Sequence, residues 1–286
     1  MAGVGAGGGG GAGTGRSPLA PYLLITPGVL WLAVFFLVPI LALAKTSVTV
    51  TGALWWDGYA RAITAYGDHW VRSFRFALSA TVVALLLGYP LAYVIAFRSG
   101  RFKNFLLGLV ILPFFTTFLV RTFAWKTILN DGGPAVGLLG LLHLLPADGR
   151  LLNTNWAVVG GLTYNFLPFM ILPIYVSLEK IDRRLVEAAQ DLYSGPIRAF
   201  RRVVLPLSLP GVFAGSLLTF IPATGDFINA ELLGSPNQRM IGTVIQSQFL
   251  QVRDYPLAAA LSFVLMAIIT IAVIVYARLL GTEELA

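Results

Sequence analysis

The sequence predicts an all-α integral membrane protein with six transmembrane helices. Hydrophobic residues make up 57% of the 286 residues and charged residues only 12%, about half the charged share of a soluble domain. The mean hydropathy is +0.80. Six apolar windows follow one another along the chain, each near the length of about 20 residues that spans a bilayer as a helix. A single water-soluble core is therefore excluded.

The first 20 residues are predicted to form a disordered, glycine-rich tail, and residues 21–286 to form one transmembrane domain. The tail contains the run "GAGGGGGAGTG". This run lacks the Gly-Lys-Ser/Thr ending and the preceding strand of a phosphate-binding loop. Its composition is that of a flexible segment, with no nucleotide site of its own.

The six predicted spans come next, and several of them contain prolines. Neighbouring helices can satisfy the carbonyl groups that a proline leaves free, which suits kinked and movable helices. Arg121 and Lys126 interrupt the far end of the third span. We interpret Arg121 as a structural residue that can extend to the membrane surface. The spans lie near residues 23–43, 74–97, 105–120, 156–177, 203–222 and 257–277.

The positive charges indicate the orientation of the spans. An even number of spans places both termini on one side. The segments on the side of the termini hold 11 of the 20 Lys and Arg residues in the shorter part of the loop sequence, so this side is predicted to be cytoplasmic. The same bias explains the net charge of +7 without a nucleic-acid partner, and the surrounding medium is the lipid bilayer.

A charged insert, residues 178–202, separates the fourth and fifth spans. It holds ten charged residues, and its first half has apolar residues at helical spacing. Gly195 and Pro196 predict a turn, with Pro196 at the start of a second helix that continues into the fifth span. Amphipathicity leaves two interpretations open: a helix lying on anionic headgroups, or a helical hairpin that docks a soluble partner.

The amino-acid sequence of this insert resembles a known motif. "EAAQDLYSGPIRAFRRVVLP" is similar to the EAA motif of ABC importer permeases, in which a glycine and then I-x-L-P follow at fixed spacing. Tyr193 stands at the usual glycine position and Gly195 follows two residues later, so the turn is expected to differ in shape. The resemblance assigns ATPase coupling to Glu187, Ala188, Ala189, Asp191, Leu192, Tyr193, Gly195, Leu205 and Pro206.

The resemblance implies a type I ABC importer permease (MetI-like) bundle with a cytoplasmic coupling helix in the bacterial inner membrane. The expected partners are an ABC ATPase dimer, a second homologous permease subunit and an extracytoplasmic substrate-binding protein. The chain has no Walker motif, so ATP and Mg²⁺ are expected on the ATPase subunits and no cofactor on this chain. The chain is then a transport subunit and not an enzyme.

Two further stretches resemble the permeases of spermidine/putrescine importers. They are "GYPLAYVIA" at the end of the second span and "FIPATGDFINAELLGSPNQRMIGTVIQSQF" after the fifth. The resemblance implies polyamine transport by alternating access about a midplane site. Permeases for iron, thiamine or other small solutes share this architecture and stay as the alternative.

A path for a flexible polycation should offer carboxylates and aromatic faces. Asp226 is the first candidate and Glu231 the second, although both also fit solvated loop carboxylates. Tyr164 and Asn165 are polar residues inside the fourth span and should face the bundle interior or the path; interhelical packing explains them equally well. The two histidines, His69 and His143, have no ligand cluster around them in the sequence, so no metal is assigned.

Two other classes of membrane protein are alternatives to an importer permease. An intramembrane serine protease needs a Ser-His pair within the bilayer, but no histidine falls inside a predicted span. An ion-coupled secondary transporter would explain six spans and intramembrane polar groups. It would not explain the EAA motif.

Overall fold

The computed structural model describes residues 20–49, 56–143, 149–193 and 195–280, and the regular structure in these residues is helical. The predicted tail, residues 1–20, therefore lies outside the described residues except for Ala20. The chain divides into two compact units, Met1–Thr46 and Ser47–Ala286. The α-helices are α1 (Ala20–Val48), α2 (Asp57–Thr64), α3 (Gly67–Tyr93), α4 (Lys103–Ile111), α5 (Phe118–Leu129), α6 (Pro134–Leu141), α7 (Asn155–Glu179), α8 (Arg183–Tyr193), α9 (Pro196–Ala199), α10 (Leu205–Thr224), α11 (Ile228–Leu233), α12 (Ile241–Ser247) and α13 (Tyr255–Leu280).

Five of the predicted spans are confirmed as long apolar helices. Each is long enough to cross the hydrocarbon core of a bilayer at 1.5 Å per residue. Two of them extend beyond an α-helix through a π-helical turn. The five segments are Ile25–Val48, Gly67–Arg98, Asn155–Glu179, Pro196–Thr224 and Tyr255–Arg278.

The third span differs from the prediction of one helix over residues 105–120. It consists of two segments, Gly100–Phe115 and Phe118–Leu141, that bend by 95° relative to each other. Thr116 and Thr117 between them have extended backbone angles. The Thr116 hydroxyl and amide both donate to the carbonyl of Pro113, which ends the first segment. The described residues thus contain six spans only if this bent pair counts as one.

Small residues allow α3, α7 and α10 to pack closely in the second unit. Along α3 they form a stripe at helical spacing, fully buried at each alanine. Without long side chains between them, helix backbones can approach and gain dispersion energy, which is the main attraction between helices in lipid. The stripe comprises Ala77, Ala80, Ala84, Gly88 and Ala92.

Two glycines of α10, four residues apart, face α7. A Cβ atom on Gly211 would lie 2.5 Å from Cβ of Ser177 and 2.6 Å from the carbonyl oxygen of Pro173. A Cβ atom on Gly215 would lie 2.9 Å from the carbonyl oxygen of Met170. The contact therefore requires glycine at both positions, in the small-xxx-small spacing of close helix pairs.

The two ends of this packed unit carry different connections. At the end where α7 finishes and α10 begins lies the charged insert, which we call the charged hairpin (residues 178–202). At the opposite end, Ser73 of α3 accepts a hydrogen bond of 2.7 Å from the backbone amide of Ile241. Trp70 of the same helix donates its indole N–H to the carbonyl of Ala62 at 2.9 Å. These bonds attach α2 and α12 to the start of α3.

Candidate functional site

The charged hairpin is a helix–turn–helix, as the sequence predicts. Asp182 precedes α8, and its Oδ1 accepts a hydrogen bond of 2.9 Å from the backbone amide of Arg184, which satisfies one of the free donors of the first turn. Gly195 precedes Pro196, the first residue of α9. From there the helix continues without a break through Thr224.

The apolar residues of the hairpin divide into an inner and an outer set. Ile181 and Ala189 are buried against the rest of the chain. Leu192 and Ile197, by contrast, are 78% and 75% exposed, and Leu185 is more than half exposed. Exposed apolar side chains surrounded by charges indicate a surface that another molecule covers.

The residues assigned to ATPase coupling lie on and just after this hairpin. Glu187, Ala188 and Asp191 are exposed together with Leu192, whereas Ala189 is buried. Leu205 and Pro206 begin α10. The side chain of Tyr193 lies outside the described part of the structure, so the prediction for this position is not tested. Of the assigned residues, Glu187, Ala188, Asp191 and Leu192 therefore share the exposed part of α8.

Aromatic rings attach the hairpin to α3. The ring of Phe200 makes edge-to-face contacts with Tyr89 and Tyr93, with centroids 5.7 and 5.8 Å apart. The Tyr89 hydroxyl forms a 2.8 Å hydrogen bond with that of Ser208. Edge-to-face pairs add to the gain from burial. A movement of the hairpin would therefore be transmitted to α3 and α10.

An ion pair forms a second attachment. Lys103, at the start of α4, pairs with Glu179 at the end of α7, and its ammonium group lies 5.4 Å from the ring centroid of Tyr175. Sequence reasoning did not single out these three residues, because Lys103 and Glu179 are 76 positions apart and no local pattern links them. Both attachments lie at the hairpin end of the unit.

Polar residues form a buried cluster at the opposite end. The side-chain amide of Asn165 donates to Oγ1 of Thr122 at 3.3 Å and to Oδ1 of Asn229 at 3.1 Å. Asn165 faces the bundle interior, as predicted, and the contacts favour interhelical packing over contact with a substrate. Asn229, which sequence reasoning missed, connects α11 to α7.

Asp226 belongs to the same cluster. Its Oδ1 accepts a hydrogen bond of 2.8 Å from the backbone amide of Asn229, so the carboxylate caps the start of α11. The side chain is 8% exposed, and this burial raises the pKa of Asp226 from 3.8 to about 6. The geometry favours a structural role for Asp226 over the predicted place on a substrate path.

The other two path candidates differ in exposure. Glu231 is exposed on α11. Tyr164 is half-buried, and its ring contacts that of Trp125 at 5.3 Å between centroids. In the part of the chain that the structure describes, no three His, Cys, Asp or Glu side chains lie close enough together to hold a metal ion.

A groove runs along the surface shared by α7 and α10. It has a volume of about 500 Å³ and reaches from Phe169 to Lys180, where a second groove continues along the hairpin to Asp182 and Leu185. The two share Ser177, Lys180 and Pro210. An elongated solute could lie against such a surface if a second subunit closed it.

Comparison with known proteins agrees with this architecture. Residues 84–280 match the family described as binding-protein-dependent transport system inner membrane component. The spermidine/putrescine transport system permease protein PotB of Haemophilus influenzae is 39% identical over 259 residues, covering 87% of this chain and 90% of that protein. PotB of Escherichia coli is 37% identical over 87% of this chain and 93% of its own length.

Further relatives share the fold or the family. The inner membrane ABC transporter permease protein YdcU of Escherichia coli is 35% identical over 75% of this chain and 72% of that protein. A chain of a bacterial ABC transporter involved in the import of the acidic polysaccharide alginate superposes with a TM-score of 0.69 at 17% identity, over 91% of this chain and 94% of its own. This chain therefore belongs to the family of binding-protein-dependent transport system inner membrane components and is a permease subunit of an ABC importer.

Proposed function

We propose that the chain forms half of the translocation path of an ATP-driven importer for polyamines such as spermidine and putrescine. The observation that carries the substrate class is the identity of 37–39% with PotB permeases over nearly the whole chain. Transport would proceed by alternating access, in which packed helices rock about a site between them.

The charged hairpin is the proposed connection to the ATPase. Its exposed Leu192 and Ile197 and the nearby carboxylate of Glu187 fit a helix that inserts into a groove on a soluble partner. An ABC ATPase dimer, a second permease subunit and an external substrate-binding protein would complete the importer. One structural neighbour is a bacterial alginate ABC transporter in complex with a periplasmic protein that holds an alginate pentasaccharide, and it supports the last of these partners.

The orientation follows from the same proposal. The hairpin and both termini would lie on the cytoplasmic side of the bacterial inner membrane, where positive charge is enriched. The opposite end, with the cluster around Asn165 and Asp226, would face the outside. Delivery of the solute would then occur at that end, and hydrolysis of ATP would act at the hairpin end.

Import of another small solute is the second candidate. The same fold occurs in a chain of a bacterial ABC transporter involved in the import of alginate, so the fold by itself does not specify a polyamine. A polyamine and a different solute would use the same hairpin and the same rocking helices. Only the lining of the path would differ.

Uptake by the assembled importer tests the proposal. The chain, its ATPase, second permease and binding protein would be reconstituted in vesicles and supplied with labelled spermidine. We expect ATP-dependent uptake that unlabelled putrescine reduces. An assembled complex that hydrolyses ATP and takes up no polyamine would contradict the substrate class, while loss of ATP dependence would contradict the importer mechanism.

A further inference from the structure

Four phenylalanines meet where the third span bends. Phe114 lies just before the bend and Phe118 just after it, and both contact α7. The ring centroids of Phe114 and Phe169 are 5.1 Å apart, those of Phe118 and Phe166 are 5.9 Å apart, and those of Phe166 and Phe169 are 6.3 Å apart. We call these four rings the phenylalanine cage.

A cation already lies against this cage. The guanidinium carbon of Arg121 is 5.5 Å from the ring centroid of Phe114 and 5.6 Å from that of Phe118. These distances are within the range of cation–π attraction. The side chain is 9% exposed, so it does not extend to the membrane surface as the sequence suggested.

Two of the three nitrogens of the guanidinium group make no hydrogen bond within the described residues. Its Nε and Nη1 are buried and have no hydrogen-bond partner within the described residues. The ion pairs found in this part of the chain join other residues, Lys103 with Glu179 and Arg150 with Asp131. A buried charge without such partners is costly. The contacts with the rings of Phe114 and Phe118 therefore stabilise a guanidinium group that is only partly hydrogen-bonded.

One ring of the cage lines the groove between α7 and α10. Phe169 lines this groove and is 37% exposed, and Phe114 is similarly exposed. The backbone between Phe114 and Phe118 is extended at Thr116 and Thr117, so the two rings belong to separate helical segments. A change at the bend would alter the spacing of the cage without unwinding a helix.

We propose that the phenylalanine cage is a subsite for an alkylammonium group of the transported solute, and that Arg121 is a tethered cation that fills the cage when no solute is bound. The proposal rests on the proposed function, because a polyamine supplies such groups. Beyond that function, it names the phenylalanine cage as the site that receives the alkylammonium groups. It also names Arg121 as the residue that competes with them for the cage.

The chemistry suits passage through a membrane. Aromatic faces attract a cation through their quadrupole, whereas an unpaired carboxylate in a low dielectric would hold it far more strongly. Conduction needs binding that is strong enough to admit the solute and weak enough to release it. The positive charge of Arg121 further shortens the residence of a second cation in the cage.

Graded fluorination of Phe169 tests the proposal in the reconstituted complex. One, two or three fluorine atoms on the ring weaken its quadrupole progressively with little change in size. We expect the logarithm of the KM for spermidine uptake to rise stepwise with the number of fluorines, about tenfold over the series. Phe169→Leu should raise KM at least as much. Phe105→Leu, which changes an exposed ring outside the cage, is the matched control.

Arg121 has the opposite expected effect. Arg121→Met removes the competing cation and should lower the KM, while Arg121→Lys keeps the charge and should leave the KM near that of the wild type. A purely structural arginine would instead lower the amount of assembled complex without lowering KM. ATPase stimulation by the binding protein reports assembly for every variant.

The outcomes separate the two proposals. Wild-type complex that takes up no polyamine would overturn the proposed function and the subsite with it. Uptake by the wild type with a KM that ignores the fluorine series, or that changes equally in Phe105→Leu, would overturn the subsite alone. A stepwise rise of KM at unchanged assembly supports both.

Discussion

The side-chain amide of Asn165, in the middle of α7, donates to Oδ1 of Asn229 at 3.1 Å. This bond joins a membrane-spanning helix to the short helix α11, which follows α10. Oδ1 of Asp226 accepts a hydrogen bond of 2.8 Å from the backbone amide of the same Asn229. Asn165 also donates to Oγ1 of Thr122 at 3.3 Å, so this one side chain links α5, α7 and α11.

We expect Asn165→Leu to destabilise the assembled complex by about 1–2 kcal/mol, because it leaves buried polar groups of Thr122 and Asn229 without this partner. The melting temperature of the purified complex measures the effect. Asn104→Leu, at an exposed position of α4, is the control. Equal melting temperatures for both variants would show that the bond contributes nothing.

Asp226→Asn is expected to alter the pH dependence of stability. The folded-state pKa of about 6 lies above the ordinary value of 3.8, so the folded chain binds the proton more tightly than the unfolded chain. The contribution of this carboxyl group to the free energy of unfolding therefore falls as pH rises from about 4 to about 6. Above that range it no longer changes with pH. The difference corresponds to about 3 kcal/mol. The variant, which keeps an oxygen acceptor for Asn229, should have a flatter profile of melting temperature against pH.

Uptake by the same variant addresses the transport role of Asp226. Its carboxylate is buried and bonded to a backbone amide, so we expect uptake per assembled complex to be unchanged. A fall in uptake with normal assembly would place Asp226 on the substrate path after all.

The sequence was sufficient for features that depend on local pattern. Apolar length predicted six spans, of which five are single long helices, and amphipathic spacing interrupted at Gly195 and Pro196 predicted the hairpin. The bend at Thr116 and Thr117 was missed because two threonines in an apolar run carry no local signal for a 95° turn. The buried Arg121 was misjudged for a related reason: its environment consists of Phe114 and Phe118, whose approach depends on that bend.

Residues that meet across the fold were also beyond local reasoning. Asn165 was recognised as a buried polar residue, but its partner Asn229 lies 64 positions away. The path candidates Tyr164 and Glu231 were selected by residue type alone, and the contact of Tyr164 with Trp125 could not be read from the sequence. Residue type and position in a span indicate which polar residues need a hydrogen-bond partner. Only the packing of the folded chain shows which residue is that partner.

Gly211→Ala tests the packing of α10 on α7. The added Cβ would lie 2.5 Å from Cβ of Ser177 and 2.6 Å from a backbone oxygen of Pro173, and the helices would have to separate. We expect a loss of about 1–3 kcal/mol in stability. In Gly108→Ala the added Cβ has nothing within 4 Å, so that variant should melt as the wild type does. A stable Gly211→Ala complex would mean that the two helices can move apart freely.

Glu187→Lys reverses a charge on the exposed face of α8. We expect it to weaken association with the ATPase or to uncouple hydrolysis from uptake, since the side chain is exposed and therefore available to a partner. The ratio of spermidine imported to ATP hydrolysed measures coupling. Asp131→Lys, at an exposed carboxylate away from the hairpin, is the control, and a normal ratio in Glu187→Lys would remove Glu187 from the coupling surface.

Leu192→Ala isolates the apolar part of the same surface. Leu192 is 78% exposed in this chain, so its truncation should leave the melting temperature of the isolated subunit unchanged. Burial of a leucine against a partner contributes about 1.5–3 kcal/mol, and its loss should raise the Kd for the ATPase by about tenfold or more. Titration of the detergent-purified permease with ATPase gives that Kd. Leu141→Ala, at a leucine of α6 that is 79% exposed, should bind normally, and identical Kd values for both variants would show that the ATPase does not cover Leu192.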